Sequence, residues 1–124
     1  MLRIYHNPRC QKSRAGLQFL QAARFVPEIR DYMKHGLTPE EVARLSMKLN
    51  LPPEMMVRTQ DRLFQTELKG RTFLPHEWFR LIAANPSLLQ RPVIETNTMA
   101  VIAVPPEMAL PLLNCCSENQ HTNL

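Results

Sequence analysis

The sequence is poor in cysteine, with Cys10, Cys115 and Cys116 as its three examples in 124 residues. A small secreted domain held by disulfides would carry an even number of cysteines at wider spacings. Cys115 and Cys116 are direct neighbours, a spacing that rarely forms a good bridge, and we interpret them as incidental surface residues. The alternative is that one of them resolves a disulfide formed by Cys10. The pattern indicates a reducing compartment and at most one working thiol.

Long apolar runs and basic runs are also absent. No stretch approaches the ~20 apolar residues that span a bilayer, and Met1–His6 lacks the apolar segment of a signal peptide. The 15 Lys and Arg residues exceed the 11 acidic residues only slightly, for a net charge of +4, and they are scattered among acids. We therefore expect a soluble, cytoplasmic protein that binds neither nucleic acid nor membrane. A few arginines could still converge on a small anion.

The first third of the chain has the pattern of a β-α-β unit. Leu2–Tyr5 is a strand candidate, and His6–Pro8 is a turn signal. From Gln11 onward the apolar residues recur at helical spacing. A second extended run, Val26–Ile29, follows. A strand–helix–strand order of this kind favours parallel strands in an α/β fold.

The rest of the chain alternates helical segments with one hairpin. Thr38–Glu41 predicts a helix start, because Thr38 can cap, proline suits the first helical position and Glu41 completes a capping box. Further helices are predicted from Pro52 to about Val57, from Leu74 to Ala84, and from Pro105 to about Leu113, with Arg58–Gly70 between the first two as a loop containing a helical turn. Val93–Glu95 and Met99–Val104 flank a turn and predict a β-hairpin.

These elements predict an α/β fold with a mixed sheet of about four strands flanked by helices. Without its helical middle, at about residues 37–84, the order β-α-β then β-β-α is the minimal thioredoxin layout. The length suits one domain, which we place at residues 1–114. Residues 115–124 are polar and predicted to be a loose C-terminal tail.

Cys10 stands at the predicted junction of loop and helix. A free thiol is mostly protonated at neutral pH, whereas the thiolate is the nucleophile. A helix N-terminus provides free N–H groups and partial positive charge, and Arg9, Lys12 and Arg14 add formal charge. Ser13 lies one turn further on and could donate a hydrogen bond from its hydroxyl. These features predict a reactive thiol; the alternative is a small buried apolar residue.

The run Tyr5–Arg14 (YHNPRCQKSR) resembles the opening of the glutaredoxin-coupled arsenate reductase family, an ArsC/Spx-like group with a thioredoxin-like fold and a helical insertion. The resemblance extends over about residues 2–113. Three further segments support it: Val57–Arg58 with Leu63–Phe64, Asn85–Ile94, and Pro105–Glu107.

The resemblance implies a reaction. In the family, the cysteine attacks arsenate, glutathione attacks the thiol–arsenic adduct, and glutaredoxin resolves the mixed disulfide as arsenite leaves. Carried over, Cys10 is the nucleophile, and Arg58 and Arg91 bind the oxyanion, for which forked donors are well suited. His6 and Ser13 match positions beside the thiol.

The resemblance also implies a cis peptide bond before Pro92 at the active site, which is energetically accessible for an X-Pro bond. It implies no bound cofactor and no metal, with glutathione as co-substrate and glutaredoxin as protein partner. The oxyanion is arsenate or a similar anion, and we expect the protein to act as a monomer.

The sequence departs from the family at Val104, where the resemblance implies a third arginine. Loss of one charge-assisted donor costs on the order of 1.5–3 kcal/mol, or about 10- to 100-fold in oxyanion binding. Three alternatives therefore stand beside arsenate reduction. The first is a glutathione-dependent thiol reductase with another substrate, and the second is an Spx-like regulator that binds RNA polymerase, although such regulators usually carry a second cysteine where this chain has Ser13. The third is a family member that keeps only the fold.

Overall fold

The computed structural model describes residues 1–114, and the chain divides into two compact units. The first unit combines residues 1–31 with those from 91 onward, and the second is Tyr32–Gln90. The helical insertion predicted at about 37–84 falls within the second unit. The single-domain organisation remains a prediction, and the predicted tail, 115–124, lies outside the described residues.

Within the described residues, the first unit contains a four-stranded mixed sheet in the order β2-β1-β3-β4. Its strands are β1 (Leu2–His6), β2 (Glu28–Asp31), β3 (Val93–Thr96) and β4 (Ala100–Ile102), with helix α1 (Gln11–Ala22) between β1 and β2. β1 pairs parallel with β2 and antiparallel with β3, which pairs antiparallel with β4. This arrangement confirms the predicted fold class, the parallel start and the hairpin.

One face of this sheet carries the hydrophobic core of the first unit. Leu2 and Ile4 are two residues apart on β1 and therefore lie on this same face, where they belong to one buried cluster with Leu20 of α1 and Ile94 of β3. The buried cluster is completed by Phe25, Ala103, Ala109, Leu112 and Leu113. The C-terminal segment that supplies the last of these is a 3-10 turn, Pro106–Ala109, followed by helical residues 110–114.

The opposite face carries a buried carboxylate. Glu95 of β3 is fully buried and accepts hydrogen bonds from the Tyr5 hydroxyl at 2.9 Å and from Arg3 Nη1 at 3.2 Å. Arg3 also lies 3.2 Å from Glu28 of β2. A buried charge needs such partners, and these contacts link three adjacent strands.

β2 begins two residues later than the extended run predicted at Val26–Ile29. Pairing starts at Glu28, opposite Arg3 of β1. Pro27 has no N–H to donate to a ladder, and Val26 is exposed. Between α1 and β2, Arg24 takes a left-handed φ of 68°, and the Phe25 N–H donates to Leu20 O at 3.0 Å, which closes the helix in a Schellman-type end.

The second unit is helical. It contains α2 (Tyr32–His35), α3 (Pro39–Leu49) and α4 (Pro75–Ala84), together with 3-10 turns at Pro53–Met56 and Pro86–Leu88 and a π-helical turn at Phe64–Leu68. The predicted capping box is confirmed: Glu41 N–H donates to Thr38 Oγ1 at 3.1 Å, and Thr38 N–H donates to Glu41 Oε1 at 3.0 Å.

The second unit has a core of its own. α3 and α4 pack against each other. Each contributes two large buried apolar side chains, Val42 and Leu45 from α3 and Trp78 and Ile82 from α4. Further buried side chains in this unit are Met56, Val57, Leu68, Leu88 and Leu89. None of the helices in residues 1–114 is long and apolar enough to cross a bilayer.

Candidate active site around Cys10

Cys10 occupies the N-cap position of α1, with extended dihedrals of φ −97° and ψ 123°. A tight turn delivers it there, because the Cys10 N–H donates to Asn7 O at 3.0 Å and the Arg9 N–H donates to Asn7 Oδ1 at 3.1 Å. Asn7 is buried, whereas Cys10 is only partly buried. The thiol therefore lies at the start of a helix, as predicted, and is accessible to solvent.

The surroundings of the sulfur lower its pKa. Burial is the largest single influence and acts to raise the pKa of Cys10. It is outweighed by the backbone N–H of Ser13, a hydrogen bond from the Arg91 side chain, the backbone N–H of Lys12 and the positive charge of Arg91. All of these favour the thiolate, because they supply donors or positive charge. The geometry can support a nucleophilic sulfur.

The Ser13 hydroxyl contacts His6 and Asn7 instead of the Cys10 sulfur. It accepts a hydrogen bond from the Asn7 N–H at 2.9 Å and lies 2.7 Å from His6 Nδ1. The expectation that this hydroxyl donates to the thiolate is therefore corrected: the backbone N–H of Ser13 faces the sulfur. Ser13, three residues after Cys10, does lie beside the sulfur as predicted, but it presents its main-chain N–H rather than its hydroxyl.

His6 is buried at the end of β1, where it connects to Ser13. Burial is the main influence that lowers the pKa of His6, and the charge of Arg14 acts in the same direction, while Asp31 opposes both. A neutral His6 with an unprotonated Nδ1 can accept a hydrogen bond from the Ser13 hydroxyl. His6 thus orients Ser13, and with it the turn at Asn7 that carries Cys10.

Arg14 points toward the loop. Its guanidinium donates to Pro8 O at 2.9 Å, on the turn before Cys10. Its support of the thiolate remains a prediction, and the contact that the structure gives it is with the main chain of that turn.

Arg91 and Pro92 lead into β3, and the peptide bond between them is cis, the form that the resemblance implied. Arg91 is partly buried and Pro92 is buried. The Ala103 N–H donates to Pro92 O at 2.9 Å, which extends the pairing of β3 with β4. The sheet thereby holds the segment that brings Arg91 to Cys10.

Val104, where a third arginine was expected, follows directly on this pairing. Its side chain is 40% exposed, and its N–H donates to Ile102 O at 3.0 Å. The Val104–Pro105 bond is a second cis bond, which the sequence did not lead us to expect. The position is apolar and open to solvent.

Arg58 belongs to the second unit, and its surroundings there are defined. Its N–H donates to Leu88 O at 2.7 Å, its Nη1 donates to Ser87 O at 3.1 Å, and its guanidinium lies 3.7 Å from Asp61. The guanidinium is thus held by a carboxylate and a carbonyl. Its role in oxyanion binding remains a prediction.

Sequence reasoning predicted the turn at His6–Pro8 but missed two features of the site. The side chain of Asn7 accepts a hydrogen bond within that turn, and Gly16 packs against Pro92. A glycine inside a helical pattern often has a packing reason, and this signal was available. Cys115 and Cys116 lie outside the described residues. Among residues 1–114, no group of three His, Cys, Asp or Glu side chains could hold a metal ion.

Known proteins share both the sequence and the architecture. The ArsC family model matches residues 5–110. The arsenate reductase of Haemophilus influenzae is 32% identical over 112 residues, which covers 89% of this chain and 97% of that protein. The arsenate reductase ArsI2 of Synechocystis sp. is 30% identical over 115 residues, which covers 92% of this chain and 82% of that protein.

The structural likeness is as extensive. The arsenate reductase from Vibrio cholerae matches with a TM-score of 0.83 and 31% identity, covering 89% of this chain and 95% of that one. The shared architecture is the thioredoxin-like arrangement of the sheet with α1 and the helical segment between β2 and β3. The chain therefore belongs to the ArsC family, the arsenate reductase family.

Proposed function

We propose that this protein reduces arsenate, or a similar oxyanion, with the Cys10 thiolate as nucleophile. The observation that carries the proposal is the position of Cys10 at the start of α1, beside the Arg91 side chain, where the pKa of the thiol is lowered. Membership of the ArsC family supports an enzyme of this class.

The proposed chemistry transfers two electrons from two thiols to arsenic. The Cys10 sulfur forms a bond to As(V), an As–O bond breaks, and the oxygen leaves as water after taking up protons. The glutathione sulfur then joins Cys10 in a mixed disulfide, while the arsenic receives the electron pair and departs as arsenite. A further thiol, from glutaredoxin or glutathione, attacks the mixed disulfide and returns Cys10 to its thiolate form.

The motif around Cys10 contains one cysteine, which supports a reductant supplied from outside the protein. Ser13 occupies the place where redox pairs of the Cys-x-x-Cys type carry their second cysteine, so Cys10 has no resolving sulfur at that position. We therefore assign glutathione as co-substrate and glutaredoxin as partner, with no bound cofactor. We expect the protein to act as a monomer in the cytoplasm.

The arginines supply the charge that this reaction needs. Arg91 neutralises the oxyanion and the negative charge that builds up during attack, because it offers a forked, permanently charged donor. Arg58 is proposed as a second donor, held in place by Asp61 and the Ser87 carbonyl. His6, Ser13 and Arg14 support the turn that presents the sulfur.

A second candidate is glutathione-dependent reduction of another substrate. It is favoured by Val104, which places an exposed apolar side chain where the family resemblance implies a cation. An electrophile with less negative charge than arsenate would need fewer donors and could contact this valine.

The test is arsenite formation from arsenate in the presence of glutathione and glutaredoxin. We expect the natural protein to form arsenite and Cys10→Ser to form none. The matched control is the double variant Cys115→Ser/Cys116→Ser, which removes two other thiols and should keep the activity. No arsenite from the natural protein would contradict arsenate reduction, and activity in Cys10→Ser would contradict the assigned nucleophile.

A further inference from the structure

Gly16 marks an unusually close approach of α1 to the segment that carries Arg91. A Cβ placed on Gly16 would lie 2.6 Å from Pro92 Cγ, well inside van der Waals contact, while Pro92 Cβ would be at 3.5 Å. Gly16 has a helical backbone and is buried, so it is not required by a positive φ. Since glycine weakens a helix relative to alanine, its presence here needs another reason, and the proline ring provides one.

The proline ring has little freedom to move away. Pro92 is buried, and its carbonyl accepts the Ala103 N–H at 2.9 Å. The next residue, Val93, begins β3, which is paired on both sides by β1 and β4. A methyl group at position 16 would therefore push mainly on α1, by about 0.8 Å if the separation from Pro92 Cγ is to reach an ordinary 3.4 Å.

Both partners of this contact are directly connected to the reactive pair. Cys10 caps the helix that contains Gly16, and Ser13, whose N–H faces the sulfur, lies on the same buried stripe of α1 as Gly16. Arg91 immediately precedes Pro92. An increase in the distance between Gly16 and Pro92 should therefore also increase the distance between the Cys10 sulfur and the Arg91 side chain.

We propose that Gly16 is a positioning residue, whose missing Cβ lets α1 approach Pro92 closely enough for Arg91 to reach the Cys10 sulfur. The inference rests on the proposed function only for the use of that sulfur in catalysis. The close approach itself predicts a property of the thiol that can be measured without any substrate.

The experiment measures the pKa of Cys10 from the pH dependence of its alkylation by iodoacetamide. All variants are made in a Cys115→Ser/Cys116→Ser background, so that Cys10 is the one remaining thiol. We expect Gly16→Ala to raise the pKa of Cys10 by about half a unit, because a displacement of about 0.8 Å weakens the interaction with the opposite charge of Arg91 without removing it. The matched control, Gln18→Ala, adds no methyl group near Pro92 and should leave the pKa unchanged.

A double-mutant cycle identifies the contact. Pro92→Ala removes Cγ and Cδ but keeps Cβ, which lies at an ordinary distance from position 16. In that background, Gly16→Ala should leave the pKa of Cys10 at the value of Pro92→Ala alone, which is the reference for the comparison because it contains any effect of losing the proline itself. An unchanged pKa in the single variant Gly16→Ala overturns the proposal, as does an equal rise with and without the proline ring.

Circular dichroism establishes whether each variant folds. If Gly16→Ala does not fold, folding of Gly16→Ala/Pro92→Ala supports the contact. If neither folds although Pro92→Ala does, the ring is not the source of the damage and the proposal is overturned. A natural protein that forms no arsenite would contradict the proposed function and leave these thiol measurements intact.

Discussion

At the scale of single residues, the pKa of Cys10 depends on a balance between neighbouring groups. Partial burial raises the pKa of the thiol. The N–H groups of Ser13 and Lys12 and the side chain of Arg91 lower it, and their combined effect is larger, so the pKa of Cys10 is lowered overall. The main-chain donors come with the helix and cannot be removed by changing a side chain. Arg91 is the contribution that mutation can isolate.

Arg91→Gln should raise the pKa of Cys10 by about one unit, because the variant loses the charge and keeps a shorter neutral donor. The alkylation profile then shifts to higher pH, since a higher pH is needed to form the same fraction of thiolate. The measurement is the pH dependence of Cys10 alkylation in the Cys115→Ser/Cys116→Ser background. Arg24→Gln, at the opposite end of α1, serves as the charge-matched control and should leave the profile in place; equal shifts in both variants would count against a local effect of Arg91.

His6 should make folding stability depend on pH. Burial lowers the pKa of His6 below 6.5, so between that lowered value and about 6.5 the unfolded chain takes up a proton that the folded chain does not. The free energy of unfolding should therefore fall as the pH is lowered through this window. Urea unfolding at pH 7 and at pH 5 measures the loss, which should be smaller in His6→Asn because asparagine does not titrate.

The control for this titration is His76→Asn, which replaces an exposed histidine of α4. It should retain the pH dependence of the natural protein. A stability difference between pH 7 and pH 5 that survives unchanged in His6→Asn would show that other groups cause it.

At the scale of secondary structure, the starts of α3 and α4 differ by one side-chain oxygen. Thr38 and Glu41 form both bonds of a capping box on α3. On α4, Glu77 accepts the Leu74 N–H at 2.8 Å. The leucine side chain has no oxygen, and the Glu77 N–H donates to the backbone carbonyl of Leu74 at 3.0 Å. The second start therefore contains only half of the box.

Leu74→Ser should stabilise the protein by about 0.5 kcal/mol, the low end of the range for a cap. Serine offers the Glu77 N–H a side-chain acceptor at a backbone that is already extended, whereas this N–H now donates to the Leu74 carbonyl. Leu74 is 60% exposed, so little apolar burial is lost. The measurement is the free energy of unfolding in urea. The matched control is Leu74→Ala, which shortens the side chain without adding an oxygen; a gain of the same size in alanine would contradict the capping explanation.

The converse experiment is made on α3. Thr38→Ala removes an acceptor that is in use and should lower the free energy of unfolding by about 1 kcal/mol. Together the two positions test the same interaction in opposite directions, with the rest of each helix unchanged.

The success of sequence reasoning differs among the elements for physical reasons. The start of α3 was predicted because a capping box involves residues three apart in the chain. β1 and the hairpin were predicted from their apolar pattern and turn. The start of β2 was wrong by two residues, because its register is set by pairing with β1, and the short helix α2 (Tyr32–His35) was not predicted at all. Four residues are too few for a helical periodicity to be recognised.

At the scale of the whole molecule, the arginine beside Cys10 comes from a distant part of the sequence. Arg91 is far from Cys10 along the chain, as is Arg58, whose role in oxyanion binding remains a prediction, and the net charge of +4 does not indicate where individual cations lie. At position 104 this chain has valine where the family resemblance implies an arginine, so it has one cation fewer there. Specificity for a highly charged oxyanion should respond to that position.

Val104→Arg should lower the KM for arsenate by about 10- to 100-fold, because it adds one charge-assisted donor. The measurement is the rate of arsenite formation as a function of arsenate concentration. Met99→Arg is the matched control, since it adds the same side chain at the other end of β4 and should leave the KM close to that of the natural protein. Equal effects at both positions would indicate a general attraction of anions rather than a contact at the site.

The sequence by itself determined the features that depend on near neighbours in the chain. Cys10 at a loop-to-helix junction and the capping box of α3 are encoded within a few residues, because helix ends and turns form through local hydrogen bonds. The order of strand, helix and strand at the start follows from the hydrophobic periodicity of each segment. The tertiary structure decided which groups meet across the chain: the backbone of Ser13 rather than its hydroxyl faces the sulfur, Arg91 reaches it, and Gly16 admits the ring of Pro92. Such contacts depend on rotamers and on the approach of segments distant in sequence, which only the packed sheet and helix establish.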